Sequence, residues 1–176
     1  MNGTALADRL YGLAGNDVLD GTGLGDRLLG GVGNDMITGG PGVDDINGRP
    51  GNDTVTGGGG ADRITGGPGN DVYVLANPRA GGDIIADFSR TTGDRGRFQL
   101  ASAGFGHLPG TLRSAEFQVG NVPVAATAAI RFLHDKTEHS LYFDADCSGA
   151  MNAVLLSVLQ PKAEVGSVYI SFVWRG

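Results

Sequence analysis

A nine-residue repeat controls the first 74 residues of this chain. From Gly3 to Val74 eight units follow one another without an insertion. Glycine occupies the first position of every unit, aspartate the sixth and a large apolar residue the eighth. The units read GTALADRLY, GLAGNDVLD, GTGLGDRLL, GGVGNDMIT, GGPGVDDIN, GRPGNDTVT, GGGGADRIT and GGPGNDVYV. Three fixed columns over eight units are not a chance pattern, and they predict a stacked repeat architecture.

Each unit divides into a glycine-rich turn of six residues and a strand of three. Because side chains alternate along a strand, only the eighth position points inward. Two units then make one coil of a flattened all-β solenoid, and the inward side chains of successive coils form a ladder. These side chains are Leu10, Leu19, Leu28, Ile37, Ile46, Val55, Ile64 and Tyr73.

The sixth-position aspartates form two columns, one along each edge of this solenoid. The first edge carries Asp17, Asp35, Asp53 and Asp71, and the second edge carries Asp8, Asp26, Asp44 and Asp62. The first 74 residues contain ten Asp, no Glu and four Arg, so they hold the whole net charge of −6. Carboxylates at strand spacing repel one another, which requires a cation between them. Carboxylate and carbonyl oxygens favour Ca²⁺, whereas zinc and copper prefer His or Cys.

Metal binding and folding are expected to be one event. This segment holds 21 of the 32 glycines, whose backbone entropy is costly to lose. Eight inward side chains bury too little apolar surface to offset that cost. We therefore predict that the segment folds only when calcium binds.

The repeat resembles the RTX (hemolysin-type) calcium-binding nonapeptide-repeat family. This resemblance implies a parallel β-roll, a right-handed β-solenoid, over residues 1–88, followed by a β-rich C-terminal cap over residues 89–176. In that family each calcium lies between two turns of one edge that are eighteen residues apart. The earlier turn gives its second and fourth carbonyls, the later turn its first and third, and both give the aspartate. Three sites per edge would follow, six in all.

Carried over by position, the resemblance implies carbonyl ligands on both edges. On the first edge they are Leu13, Gly15, Gly30, Val32, Gly31, Gly33, Gly48, Pro50, Arg49, Gly51, Gly66 and Pro68. On the second edge they include Gly21, Gly23, Thr22, Leu24, Gly39, Pro41, Gly40, Gly42, Gly57 and Gly59.

The second edge departs from the family pattern at its fourth positions. Leu6 and Leu24 stand there in place of glycine. If this position needs a left-handed backbone, each leucine costs roughly 1–2 kcal/mol. We expect the sites that use these two leucines to be the weakest.

The resemblance continues beyond the repeats. Residues 81–88 are similar to the closing segment of the family, which makes Asp83 and Asp87 further candidate ligands. Strands are expected at 129–134, 140–144, 153–159 and 167–174. Residues 131–149 are similar to a tail that follows RTX repeats in proteins exported by type I secretion, which implies a secretion signal in the cap.

The outer faces of the two predicted sheets differ in character. Seventh positions on one sheet are Val18, Met36, Thr54 and Val72, and on the other they are Arg9, Arg27, Asp45 and Arg63. A contiguous apolar stripe usually marks a contact surface. We therefore expect the tail to fold onto the Val72 end of the apolar stripe while the arginine-bearing sheet stays in water.

Several function classes have no support in the sequence. It contains no His-Glu-x-x-His, no Gly-x-Ser-x-Gly, no phosphate loop and no carboxylate pair outside the two columns, so we expect no enzymatic activity. The acidic balance disfavours nucleic acid. The apolar runs are too short for a membrane span, and the single cysteine excludes an internal disulfide.

The sequence favours a calcium-binding module at the end of a larger secreted protein. Its expected partners are calcium ions, an upstream domain of the same parent chain and a type I exporter, and its expected location is extracellular. Two alternatives stay open. One is an adhesin or carbohydrate-binding module that uses the outer surface of the roll. The other is an accessory module of a secreted protease, lipase or polysaccharide epimerase. The sequence upstream of Met1 in the source gene would distinguish them.

Overall fold

A computed structural model describes residues 1–76, 81–88, 90–91, 94–100, 117–120, 132–135, 140–143 and 154–159. Regular structure in these ranges is entirely β. Within the same ranges there is no helix with the length and apolar character needed to cross a membrane.

Sixteen strands lie in these ranges. They are β1 (Arg9–Ala14), β2 (Val18–Asp20), β3 (Arg27–Val32), β4 (Met36–Pro41), β5 (Asp45–Asn47), β6 (Thr54–Gly59), β7 (Arg63–Thr65), β8 (Val72–Leu75), β9 (Asp83–Ile85), β10 (Arg90–Thr91), β11 (Asp94–Arg95), β12 (Arg97–Leu100), β13 (Phe117–Gly120), β14 (Phe132–Asp135), β15 (Ser140–Phe143) and β16 (Val154–Leu159).

Two parallel sheets form the roll. Sheet I contains β1, β3, β5, β7 and β9 in that order, and sheet II contains β2, β4, β6, β8 and β12. Neighbouring strands align residues eighteen apart, such as Leu10 with Leu28 and Ile37 with Val55. Two nine-residue units therefore make one coil, and the predicted parallel β-roll is confirmed.

The core of the roll is the ladder of eighth-position side chains, all of them buried. Its C-terminal end is closed by three aromatic rings, those of Tyr73, Phe88 and Phe98. Their centroids lie 5.1 Å apart for Phe88 and Phe98 and 5.9 Å apart for the two pairs with Tyr73. The apolar ladder thus ends against an aromatic plug rather than in solvent.

Five of the eight repeat strands are longer than the predicted three residues, since β8 contains four. Strands β1, β3, β4 and β6 each contain six residues and run on into the following turn. Pairing continues there because the early turn residues are also in register, for example Leu13 with Gly31 and Gly40 with Gly58. Ladder pairing therefore extends to the edges where the aspartates stand.

The C-terminal strands extend the sheets at their edges. Strand β12 pairs with β8 in sheet II, and β16 pairs with β9 in sheet I, both in parallel. Beyond β16, sheet I continues through β15, β14 and β13. Strands β14 to β16 coincide with three of the four strands predicted in the cap, and the fourth, at 167–174, lies outside the described residues.

The packing of the tail onto the Val72 end of the apolar stripe stays a prediction. Val18 and Met36 remain 58% and 55% exposed, so the apolar stripe is not covered at these positions. Thr54 and Val72 are half-buried, and Val72 lies beside β12. An open sheet edge offers a full row of backbone hydrogen bonds, which a face of scattered apolar side chains does not.

Candidate metal centre

The sixth-position aspartates form hydrogen-bonded ladders along both edges. In each ladder the backbone N–H of one aspartate donates to Oδ1 of the aspartate eighteen residues later. The N···O distance is 2.9 Å from Asp17 to Asp35 and 2.8 Å from Asp35 to Asp53 on the first edge. On the second edge it is 2.6 Å from Asp26 to Asp44. One oxygen of each carboxylate after the first in a ladder is therefore fixed by the backbone.

The second oxygen, Oδ2, has no such partner in most of these residues. It is buried and has no hydrogen-bond donor among the described residues in Asp17, Asp26, Asp35, Asp44, Asp53 and Asp62. Asp53, for example, is 0% exposed. An unpaired buried carboxylate oxygen is strongly unfavourable unless a cation compensates it. This arrangement therefore fits a metal ion at each of these oxygens.

First-position glycines provide the space beside each Oδ2. A Cβ on Gly48 would overlap Oδ2 of Asp53 and would lie 2.6 Å from the carbonyl oxygen of Gly66 in the next coil. A Cβ on Gly30 would likewise overlap Oδ2 of Asp35, and it would lie 2.7 Å from the carbonyl oxygen of Gly48. A carboxylate oxygen and a carbonyl oxygen thus meet beside each of these glycines, which explains why this column tolerates no side chain.

Third-position carbonyls line the same turns. The carbonyl of Val32 accepts the N–H of Gly15 at 2.8 Å, and the carbonyl of Pro50 accepts the N–H of Gly33 at 3.0 Å. The second edge repeats this pattern between Gly59 and Gly42, at 2.6 Å. A carbonyl oxygen has two lone pairs, so each keeps one for another partner.

Left-handed backbone occurs at the second and fourth positions of the turns. At the fourth position the residues are glycines, such as Gly15 with φ of 124° and Gly33 with φ of 140°. Among the described residues the non-glycine cases are Leu13, Thr22 and Arg49, with φ of 79°, 66° and 75°. All three occupy the second position, where each costs roughly 1–2 kcal/mol.

Leu6 and Leu24 are not left-handed, so the predicted strain at these residues is wrong. The carbonyl of Leu24 is oriented differently from that of a fourth-position glycine. A Cβ on Gly42 would lie 2.8 Å from the carbonyl carbon of Leu24, whereas a Cβ on Gly60 would overlap the carbonyl oxygen of Gly42. A leucine at the fourth position thus reorients its carbonyl instead of adopting a strained backbone.

Burial changes the protonation of the buried carboxyls. It raises the pKa of Asp44 and of Asp53 to about 6, with neighbouring aspartates of the same column adding to the effect. It raises the pKa of Asp83 to about 7, assisted by the charges of Asp62 and Asp44. Without a metal ion, protons therefore compete for these oxygens near neutral pH.

Asp83 continues the second-edge column. Its Oδ1 accepts the N–H of Asp62 at 3.1 Å, the same contact that links the other members. The spacing is 21 residues instead of eighteen, and the pairing of Ile84 with Arg63 carries the same offset. Asp83 is buried, as are Asp26, Asp44 and Asp62 of this column.

Asp87 has a different role in the structure. Its two oxygens accept the N–H groups of Gly66 and Gly67 at 3.0 and 2.8 Å, and the Tyr73 hydroxyl lies 3.4 Å from Oδ1. Asp87 therefore caps backbone donors at the last turn of the first edge. A ligand role for Asp87 stays a prediction.

An asparagine ladder on the first edge was missed by sequence reasoning. The N–H groups of Asn34, Asn52 and Asn70 donate to Oδ1 of the asparagine eighteen residues earlier, each at 2.8 Å. The signal was the Gly-Asn-Asp triplet present in every first-edge turn. This ladder supports the turns without using a metal ion.

The donor set of the edges suits calcium. Within the described ranges no group of three or more His, Cys, Asp or Glu side chains converges. Each cradle instead offers carboxylate and backbone carbonyl oxygens. Calcium accepts six to eight such ligands in a flexible geometry.

Comparison with known proteins agrees with this assignment. A family model described as RTX calcium-binding nonapeptide repeat (4 copies) matches residues 2–37, 20–55 and 38–73. The solution structure of the AlgE6R3 subunit from the Azotobacter vinelandii mannuronan C5-epimerase is similar in fold, with a TM-score of 0.55 and 24% identity. The match covers 87% of this chain and 80% of that chain. No curated protein matches the chain by sequence.

The repeat columns, the parallel coils and the oxygen-lined cradles all agree with the family match, and calcium is the metal that they indicate. Residues 2–73 of this chain are RTX calcium-binding nonapeptide repeats that form a parallel β-roll.

Proposed function

We propose that this chain is a calcium-triggered folding module that supports the type I secretion of a larger exported protein. The observation that carries the proposal is the set of buried, unpaired Oδ2 atoms along the two edges. These oxygens make the metal-free roll unfavourable, so calcium supplies the free energy that folds it.

The proposed ligands of each ion are two column aspartates and the carbonyls of the turns between them. Among the implied carbonyls, those of Gly48 and Gly66 lie beside an Oδ2 of the preceding coil. Those of Val32, Pro50 and Pro68 lie at the third position of the first-edge turns. Calcium would hold adjacent coils together by neutralising the carboxylates that otherwise repel.

The secretion role follows from coupled binding and folding. A chain that needs calcium to fold stays unfolded where free calcium is scarce, as inside a cell, and folds where it is abundant, as outside. We therefore propose extracellular folding after passage through a type I exporter, with an upstream domain of the same parent chain as cargo. The tail that resembles an export signal is in the cap, and residues 131, 136–139 and 144–149 of it lie outside the described residues.

The test is a calcium titration of the 176-residue chain followed by circular dichroism, with magnesium as the control ion. We expect a β spectrum to appear with calcium and not with magnesium, because magnesium demands a tighter octahedral geometry. The double variant Asp35→Asn/Asp53→Asn should shift the folding transition to a higher calcium concentration. Asp20→Asn, which lies outside both columns, should not shift it. A fully β spectrum in excess chelator would overturn the proposal.

A further inference from the structure

We propose that the calcium column of the second edge is displaced by one coil toward the C-terminus. The position between Asp8 and Asp26 is closed by Thr4, and an additional position opens between Asp62 and Asp83. This inference rests on the proposed calcium function and concerns only which coils hold the ions.

Thr4 occupies the carboxylate oxygen that calcium would need at the N-terminal position. Oδ2 of Asp8 accepts the backbone N–H of Thr4 at 2.6 Å and its hydroxyl at 2.8 Å. The same hydroxyl accepts the N–H of Leu6 at 3.2 Å. A turn of this kind satisfies a carboxylate by local hydrogen bonds. Asp26, one coil later, has a buried Oδ2 with no donor among the described residues.

The first unit differs from the others at the residues that make this closure. It reads Gly3-Thr4-Ala5-Leu6, whereas glycine stands at the second position in four of the eight units. Thr4 is also the second-position residue whose carbonyl the family pattern would assign to the ion. The residue that should support the site thus closes it.

The opposite situation exists at the C-terminal end of the column. Asp62 is 1% exposed, and its Oδ2 has no hydrogen-bond donor in the described part of the chain. Asp83 lies beside it: a Cβ on Gly57 would overlap Oδ2 of Asp62 and would lie 3.2 Å from Oδ2 of Asp83. Both carboxylates therefore face one glycine cradle.

The offset of 21 residues does not disturb this cradle. The backbone ladder between β7 and β9 keeps its parallel pairing, and a Cβ on Gly81 would overlap the carbonyl oxygen of Gly60. Fourth-position glycines of regular coils make the same approach, as Gly60 does to Gly42. The three extra residues therefore precede Gly81 in the sequence, and the edge itself continues from Gly81 to Asp83.

The test counts bound calcium by native mass spectrometry on Asp26→Asn and Asp62→Asn. Both residues are buried, both have an unpaired Oδ2, and asparagine keeps the size of the side chain. In the displaced column Asp62 serves two ions and Asp26 one, so Asp62→Asn should lose twice as many ions. Asp20→Asn, an aspartate outside the columns, should lose none.

Other outcomes overturn the displacement in distinguishable ways. Greater loss in Asp26→Asn means that the column starts at Asp8. Equal loss of two ions from each variant means that both ends bind calcium, and equal loss of one ion from each means that neither end does. A second pair of variants distinguishes a folding defect from a lost ligand, because one of the two is expected to gain an ion. Asp83→Asn should lose an ion, and the double variant Thr4→Gly/Leu6→Gly should gain one. If either change is absent, the corresponding end is misassigned. A wild-type chain without bound calcium overturns the proposed function itself.

Discussion

The internal column aspartates use their two carboxylate oxygens for different purposes; they are Asp26, Asp35, Asp44, Asp53 and Asp62. Oδ1 accepts a backbone N–H and fixes the spacing of the coils, while Oδ2 remains buried and available to a cation. Because the two tasks fall on two atoms, asparagine can keep the first and lose the second. Substitution by asparagine therefore tests ion binding with little change in packing.

Loss of calcium should depend on the position of an aspartate in its column. Asp35 lies between Asp17 and Asp53 on the first edge and would serve two ions, whereas Asp17 would serve one. We expect Asp35→Asn to lose more bound calcium than Asp17→Asn in calorimetric titrations. Equal losses from the two variants would contradict the carried-over ligand geometry.

Calcium affinity should fall as pH decreases through 7 to 6. The folded pKa values of Asp83, Asp44 and Asp53 are raised above the ordinary value of 3.8 to about 7, 6 and 6. Proton binding therefore favours the metal-free roll at low pH, and this contribution is lost as pH rises through these values. At pH values below these pKa values, calcium must displace protons from the carboxyls in order to bind.

The measurement is calcium titration at a series of pH values. Each displaced proton weakens affinity by up to about tenfold per pH unit. The metal-free chain should in turn show more β structure at acidic than at alkaline pH. An affinity that is constant between about pH 8 and pH 6 would show that these carboxyls do not bind the ion.

At the scale of the strand and turn, the first-position glycines should be intolerant of any side chain. Gly48→Ala places a methyl group against Asp53 and the Gly66 carbonyl, whereas Gly59→Ala meets no atom within 4 Å. Overpacking of this kind costs about 1–3 kcal/mol. We expect Gly48→Ala to lower the melting temperature in saturating calcium and Gly59→Ala to leave it nearly unchanged. Equal melting temperatures for the two variants would refute the close approach of Gly48 to Asp53 and to the Gly66 carbonyl.

The repeat predicted the elements well because each column has one physical requirement. An inward apolar side chain, an edge carboxylate and a glycine beside it are all visible in the sequence. The left-handed residues were harder to place, since Leu13, Thr22 and Arg49 show that the second position accepts side chains at a cost. Contacts between coils, such as the asparagine ladder, depend on a register that composition alone does not give.

At the scale of the whole molecule, the sequence could not show how the roll ends. The cap hydrogen bonds of Asp87 and Thr4 involve backbone donors that have no sequence signature. The addition of β12 and β16 to open sheet edges likewise depends on unpaired backbone groups. The domain boundary at residue 88 stays a prediction. Phe98 lies beyond this boundary, yet its ring packs against those of Phe88 and Tyr73.

Export information should be separable from calcium binding. A chain that ends at Leu100 keeps β12 and the aromatic plug but lacks the tail that resembles a secretion signal. We expect it to bind calcium in vitro and to lose secretion through a type I exporter, with the full-length chain as control. Secretion of the shortened chain at normal yield would place the export information elsewhere.

The two ends of the roll are not equivalent. At the C-terminal end both sheets continue into other strands, while β1 and β2 stand at the outer margins of their sheets. At β2 the preceding residues already continue the ladder, since the N–H of Asp20 donates to the Met1 carbonyl and its carbonyl accepts the N–H of Gly3. A further coil inserted among the repeats would pair in the same way. The length of the roll can therefore change in steps of two units without altering its junction with the tail. Gene duplication within the repeats would then vary the number of bound ions and leave the proposed export signal unchanged.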